Sequence, residues 1–299
     1  MKITITGASG LVGRRLMENL LAAGHELTAI SRRADTEVPP GVGVVAWEPM
    51  RELAPEDGVR NADAVIHLAG QPVAQRWSEQ AKWRIRESRV LGTRNLVQAL
   101  GKLRNTPRTL VCASAVGYYG SRGDEELTED AAPADTFLAE VCTAWEKEAL
   151  AAESLGMRVV TVRIGVVLAT GGGALKRMLT PFRLGLGGRL GDGKQWMSWI
   201  HLADLAALFE FALENDVRGA MNGVAPRPVT NEYFTQMLAS ALRRPAMFPV
   251  PEFALKLLFG EMSQVLLASQ KVVPAAAEAA GFQFRFPELG HALQDLLGR

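Results

Sequence analysis

Cysteine is scarce in this 299-residue chain: Cys112 and Cys142 stand far apart, in neither a paired-thiol redox motif nor the spacing of a zinc site. Two reduced thiols predict a cytoplasmic setting, and no metal centre is expected. Charge of one sign is also lacking. Lys plus Arg number 33 and Asp plus Glu 32, a net charge of +1, so nothing steers the chain as a whole toward nucleic acid or an anionic membrane. No apolar run approaches the roughly 18 residues of a membrane span. The start, MKITITGASG, reads as a strand and a glycine turn where an export signal would need a basic and then an apolar stretch. Tyrosine is rarer still in useful positions: Tyr118, Tyr119 and Tyr233 are the three present, and none is followed four residues later by Lys.

What is there is a soluble, globular composition, 48% hydrophobic and 22% charged. The first half alternates strand and helix. Ile3 to Thr6 reads as a strand, Leu11 to Leu21 has helical periodicity, and Leu27 to Ser31 returns to strand, one βαβ unit. Further apolar, β-branched strands are predicted at 44–46, 64–68, 109–114 and 158–165, with helices near 79–103 and 135–155. The fold class is therefore α/β, a doubly wound, Rossmann-type parallel sheet. The acidic stretch 121–135 reads as a long surface loop. Beyond Gly165 the text is glycine-rich, a helix is expected over 201–213, and prolines from 226 onward punctuate short helices. That pattern predicts a smaller, mostly helical C-terminal lobe from about residue 217. The organisation expected is a cofactor-binding core over 1–165 and a substrate-side lobe over 166–299, with 166–216 returning to the core.

The strongest motif is TGASGLVG. Gly7, Gly10 and Gly13 follow a strand and open a helix, where glycine permits a tight turn, close approach of a pyrophosphate and close helix packing, in that order. Ser9 and Leu11 belong to the same cradle. The second strand ends in Ser31-Arg32-Arg33, where a site for NAD would place an acid to hold both ribose hydroxyls. Two arginines instead supply forked donors for a 2′-phosphate, so NADP is the expected cofactor. Asp35 nearby is positioned to bend that loop differently.

These residues, with the strand end HLAG at 67–70, Ser114 and SWIHLAD at 198–204, resemble the extended short-chain dehydrogenase/reductase superfamily of sugar-nucleotide epimerases and dehydratases. SAVGYYG, CTAWE, RIGVVL, PFRLGLGG and the block from Pro249 resemble its atypical, epimerase-like branch with a small C-terminal domain of its own. The resemblance covers essentially the whole chain. It implies cofactor contacts from Leu68, Ala69 and Gly70, and adds Arg163 and His201 to that set; a small-molecule substrate would enter between core and lobe, near Tyr118, Tyr119, Arg183 and Trp199. His67 is expected to satisfy backbone near the cofactor. Assembly as a monomer or a homodimer is left open, and no nucleic-acid or membrane partner is implied. RNA binding through Arg32-Arg33 and Arg84-Arg86-Arg89 has a simpler account, as phosphate ligands and solvated helix residues.

One departure stands out. Superfamily members usually carry a serine or threonine at the end of the fifth strand and a Tyr-x-x-x-Lys pair on the next helix, the tyrosine as acid/base and the lysine holding the nicotinamide ribose. Ser114 matches, but Cys142 and Glu146 stand where the pair would be. Residues four apart share a helix face, and a carboxylate there opposes formation of a nearby anion. Cys142 is then either a weak replacement acid or a small buried hydrophobe. Glu146 caps a helix, pairs with Arg163 or touches substrate. Tyr118 and Tyr119, just past Ser114, either do chemistry or line the pocket, and His201 is a pocket-rim residue with an imidazole suited to acid/base work. The candidate catalytic set is therefore Ser114, Tyr118, Tyr119 and Cys142. The implied function is that of an NADP-binding epimerase or oxidoreductase with a rebuilt catalytic face; a non-catalytic dinucleotide sensor or scaffold is the alternative.

Overall fold

A computed structural model describes residues 1–298. Seven strands form the central sheet: β1 Lys2–Thr6, β2 Glu26–Ser31, β3 Gly43–Ala46, β4 Ala64–His67, β5 Thr109–Ala115, β6 Arg158–Ile164 and β7 Gly219–Gly223. They lie in the order β7-β6-β5-β4-β1-β2-β3, and every neighbouring pair is parallel. The order reverses between β1 and β4, which opens a crevice above their carboxyl ends, where sheets of this kind take their ligands. The central strands are buried on both faces, as their unbroken apolar and β-branched text requires: Ile3, Ile5, Val65, Ile66, Leu110, Val111, Val159 and Val160 are at most 1% exposed.

Helices cover both faces, and their starts are written in the sequence. Ser78 and Thr136 accept backbone N–H bonds from Ala81 and Ala139 at 3.2 and 3.3 Å, starting the helices Glu79–Leu100 and Phe137–Leu150. The helix Leu11–Ala22 is different. Its N-cap is Gly10, which has no side chain to cap with. Its first-turn N–H groups are left free for another acceptor.

Beyond residue 217 the mostly helical lobe is preceded by a strand that the sequence pattern does not announce. Gly219–Gly223, GAMNG, is the seventh strand, paired with Val160–Ile164. With two glycines and no β-branched residue it carries no strand signal; its place is set by packing, since a Cβ at Gly223 would stand 2.9 Å from Val162 Cγ1. The helix Leu202–Glu214 also belongs to the main sheet, and its phenylalanine Phe209 and leucines Leu205 and Leu208 lie in the principal core. The acidic stretch is likewise more than a surface loop: Glu126–Leu127 pairs in parallel with Lys271–Val272 of the C-terminal lobe, and Leu127 is fully buried. A second core, with Phe182, Trp199, Phe234, Leu238, Phe286 and Leu293, holds the helices Gly173–Arg183, Asn231–Leu242 and Leu289–Leu297 together. Among the described residues no helix is long and apolar enough to cross a membrane.

Candidate functional site

The crevice at the switch point holds a cleft of about 270 Å³, lined among others by Gly7, Ser9, Gly10, Arg32, Leu68, Ala69 and Gly70. The three glycines of TGASGLVG do separate jobs. Gly7 has φ +70°, and a Cβ there would stand 2.8 Å from the Leu68 carbonyl carbon. A Cβ at Gly13 would press to 2.6 Å on Gly7 O, so this glycine lets the helix lie on the turn. A Cβ at Gly10 meets Gly7 O at 3.1 Å and otherwise looks into the cleft. The side chain of Leu11 turns away from the cleft and packs under the 172–173 turn, 3.4 Å from added carbons there, while its backbone belongs to the first turn of the helix.

The opposite wall is held by a buried chain of hydrogen bonds. Thr6 Oγ1 accepts the N–H groups of Leu68 and Ala69 at 3.2 and 3.3 Å, so its one proton goes to His67 Nδ1 at 2.7 Å. His67 Nε2 then carries the ring proton and donates to Thr93 Oγ1 at 3.0 Å. Burial, helped by the positive charge of Arg89, pushes the imidazole down to about 3, and it stays neutral. His67 thus reaches the Leu68-Ala69 backbone only through the Thr6 hydroxyl, and is itself held in place by Thr93.

Three other expected cofactor contacts are placed elsewhere. Arg33 turns away and forms a two-pronged pair with Asp35 at 2.8 and 2.9 Å, which leaves Arg32 in the cleft wall. That pair is solvent-exposed on both sides. His201 is the N-cap of the helix Leu202–Glu214. Its Nδ1 accepts from Ala203 N at 3.0 Å, its Nε2 lies 3.3 Å from Asp295, and its ring stacks on Phe286 at 4.1 Å. With Asp204, which accepts the N–H groups of Arg285 and Phe286 at 3.0 and 2.9 Å, it joins the lobe to the core and lies outside the cleft. Arg163 is likewise absent from the cleft wall.

Arg163 instead organises the candidate catalytic face. Nε and Nη2 bond the two oxygens of Glu146, each at 2.9 Å, and Nη1 donates to Tyr119 Oη at 2.9 Å and to Glu129 O at 3.0 Å. Its guanidinium carbon sits 3.6 Å from the Tyr118 ring centre, a cation–π contact. Ser114 Oγ donates to Glu146 Oε1 at 2.6 Å. Of the open choices for Glu146, the ion pair with Arg163 is realised, and the serine joins it. Tyr119 is sealed: its hydroxyl donates to Asn222 Oδ1 at 2.7 Å, and burial pushes it up to about 12 despite the neighbouring arginine. Cys142 lies beside this group, its thiol 3.6 Å from Ala115 O and pushed up to about 11, first by burial and then by the Glu146 charge. A thiol so placed is a buried hydrophobe in practice. Tyr118 is half-buried, and among the described residues its hydroxyl has no hydrogen-bond partner.

Two members of this network carry no motif. Glu129 accepts Asn222 N at 2.8 Å and Ala276 N at 3.1 Å, and Asn222 Nδ2 donates to Val273 O at 2.9 Å. The network therefore runs from Ser114 through Arg163 into the C-terminal lobe. The readable signal was the pair of charges, Glu146 and Arg163, set into otherwise apolar helix and strand text. Among the described residues no cluster of His, Cys, Asp or Glu has the make-up of a metal site.

A parallel sheet with an uncapped glycine turn at its switch point, a serine ending the fifth strand and a rebuilt tyrosine–lysine position define an atypical extended short-chain dehydrogenase/reductase. The profile of the NAD dependent epimerase/dehydratase family matches residues 3–224, and a domain of unknown function, DUF1731, matches residues 250–296. The chain belongs to the NAD-dependent epimerase/dehydratase family. It is 40% identical to the chloroplastic SDR39U1 homolog of Arabidopsis thaliana, over 99% of this chain and 87% of that one. It is 38% identical to the epimerase family protein YfhF of Bacillus subtilis, over 99% and 98%. The crystal structure of human SDR39U1 with NADPH superposes with a TM-score of 0.89 at 38% identity, covering the whole of both chains.

Proposed function

We propose that this chain is an NADP(H)-dependent oxidoreductase or epimerase of a small molecule that enters between the carboxyl edge of the sheet and the C-terminal lobe. The observation that carries the reading is the open cradle: a helix start without a side-chain cap, with Gly10 facing the cleft and Arg32 in its wall. The free N–H groups of the first turn suit a pyrophosphate, and the fork of Arg32 suits a 2′-phosphate. The NADPH bound to the human relative agrees with this choice over NAD. Bound there, the nicotinamide supplies reversible hydride exchange.

The residues of the catalytic face divide the remaining work. Ser114, oriented by the Glu146 carboxylate, positions an oxygen of the substrate. Tyr118 is the phenol left free to give or take a proton, since Tyr119 is committed to Arg163 and Asn222 and the Cys142 thiol is held well above neutral pH. Arg163 holds the face rigid and lies against the Tyr118 ring, which fixes the orientation of that phenol. The two thiols, both free and buried, suit a reducing, cytoplasmic compartment. The chain acts in this reading as a monomer or a homodimer.

Titration of NADPH and NADH by nicotinamide fluorescence tests the proposal. Wild type is expected to bind NADPH more tightly than NADH by about tenfold or more. Arg32→Ala removes most of that preference and Arg33→Ala leaves it. Equal affinity of wild type for the two, or a preference untouched by Arg32→Ala, overturns the reading.

A further inference from the structure

Arg84, Arg86 and Arg89 read together in the sequence as a solvated helix face, but they part company in the fold. Arg84 and Arg86 are exposed, and Arg89 turns inward. Its Nη1 donates to Gln71 O at 2.9 Å and Ile85 O at 3.0 Å. One face of the guanidinium lies 5.0 Å from the Trp145 ring centre. Its carbon would stand 3.1 Å from a Cβ at Gly70, a wall residue of the cleft. Ser88 Oγ accepts Gln71 N at 3.0 Å, so two consecutive helix residues grip both backbone groups of Gln71 and with them the 69–72 turn.

The charge of Arg89 is felt on both sides of the reaction face. It adds to the downward push on His67 at the end of β4, and it opposes the upward push on Cys142. Arg89 therefore lies between the end of β4 and the cysteine that stands at the usual tyrosine position. Among the described residues no carboxylate pairs with it, and neither Nε nor Nη2 has an acceptor; these two atoms are not sealed from solvent. A partly buried cation with two spare donors calls for an acceptor in the space it faces. A dinucleotide laid across a switch point with its 2′-phosphate at Arg32 sends its other half toward the ends of β4 and β5, the side on which Gly70 and Arg89 lie.

We propose that Arg89 is a cofactor-contact residue whose Nε and Nη2 donate to the ribose hydroxyls on the nicotinamide half of NADP(H). It takes over, from the helix Glu79–Leu100, the cationic contact that the position of Glu146 no longer gives. Arg163 does not supply it, because Nε, Nη1 and Nη2 are all engaged within the protein. The inference rests on the proposed use of NADP(H).

Adenosine 2′,5′-bisphosphate carries the Arg32 end of the cofactor and lacks the nicotinamide half, so calorimetry with it and with NADPH separates the two ends. Arg89→Met is expected to weaken NADPH about tenfold or more and the bisphosphate less than about twofold, with part of the NADPH affinity regained in Arg89→Lys. Circular dichroism and thermal melting check the fold. If the methionine variant does not fold, Arg89→Gln, which keeps a donor for the Gln71 carbonyl, carries the same comparison. NADPH binding unchanged in the variant overturns the inference. So does equal weakening of both ligands, which would make Arg89 a fastener of the 69–72 turn and nothing more. Failure of the cofactor reading looks different, since wild type would then bind neither ligand, or Arg32→Ala would leave both unaltered; that result overturns the two proposals together.

Discussion

The glycine-turn cleft and the proposed catalytic face lie side by side above the same sheet and are built on opposite plans. At the cleft the protein withholds partners: a helix start has no side-chain cap, Gly10 adds no atoms, and among the described residues Arg32 in the wall has no carboxylate. At the catalytic face nearly every polar atom is already satisfied, from Ser114 through Glu146, Arg163 and Tyr119 to Asn222 and Glu129. A site that binds a charged ligand gains from unmet donors, and their solvation cost is recovered when the ligand arrives. A network whose members are bonded to one another is rigid and has little left to offer a substrate. The difference teaches that an open, ligand-ready cradle and a closed, self-satisfied network can share one sheet, and under the proposed function proton transfer falls to the few groups the network leaves over, Tyr118 first among them.

The largest effect comes from breaking the closed half. Arg163→Met strands Glu146 in a site where its side chain is 9% exposed, and a buried charge left without its partner costs about 3–5 kcal/mol. Urea unfolding should show that loss, and Arg163→Leu combined with Glu146→Leu should recover much of it. A midpoint unchanged in the single variant would mean that the pair does not hold the face together.

The support of the cleft gives a pH signature of intermediate size. In the folded state His67 titrates at about 3, below the ordinary 6.5. As pH falls the unfolded chain takes up the proton first. The stability that His67 contributes is complete above pH 6.5 and is lost as pH drops through the window down to about 3, at about 1.4 kcal/mol per pH unit. Unfolding free energies at pH 7, 6 and 5 should fall more steeply for wild type than for His67→Gln. Parallel curves would show that the imidazole is not held neutral by burial.

The smallest effect on the fold, and a selective one on binding, is expected at the open half. Gly10 has φ −71°, accessible to any residue, so Gly10→Val should fold while its side chain fills the cradle and weakens NADPH by about tenfold or more. Gly13→Ala sharpens the contrast, since its new carbon meets backbone at 2.6 Å and should lower stability. Comparable NADPH affinity in a folded Gly10→Val would move the cofactor away from this turn.

Much of the molecule was legible without coordinates because its signals are local. The strand–glycine–helix order and the apolar strands depend on residues within a few positions of one another. The loss of the Tyr-x-x-x-Lys pair was readable in the same way, and so was the choice between NADP and NAD at the Ser31-Arg32-Arg33 strand end. Ambiguous local text carries no such signal. GAMNG looks like a loop and is a strand because β6 offers it an open edge. Arg33 looks equivalent to Arg32 and is not, because Asp35 captures it.

What the sequence by itself determined is the α/β class, the switch-point cradle, the absence of the usual proton-transfer pair and the family to which the chain belongs. Only the tertiary structure decided which charges face which. Glu146 and Arg163 are 17 positions apart, Tyr119 and Asn222 are 103 apart, and Asn222 reaches across 51 to Val273. Arg89 shares a helix with two solvated arginines, and its inward turn depends on Trp145 and Gly70 from other elements. A hydrogen bond across such separations leaves no periodicity in the chain, because it is the packing of helices against a sheet, and not the neighbours in sequence, that brings its two ends within 3 Å.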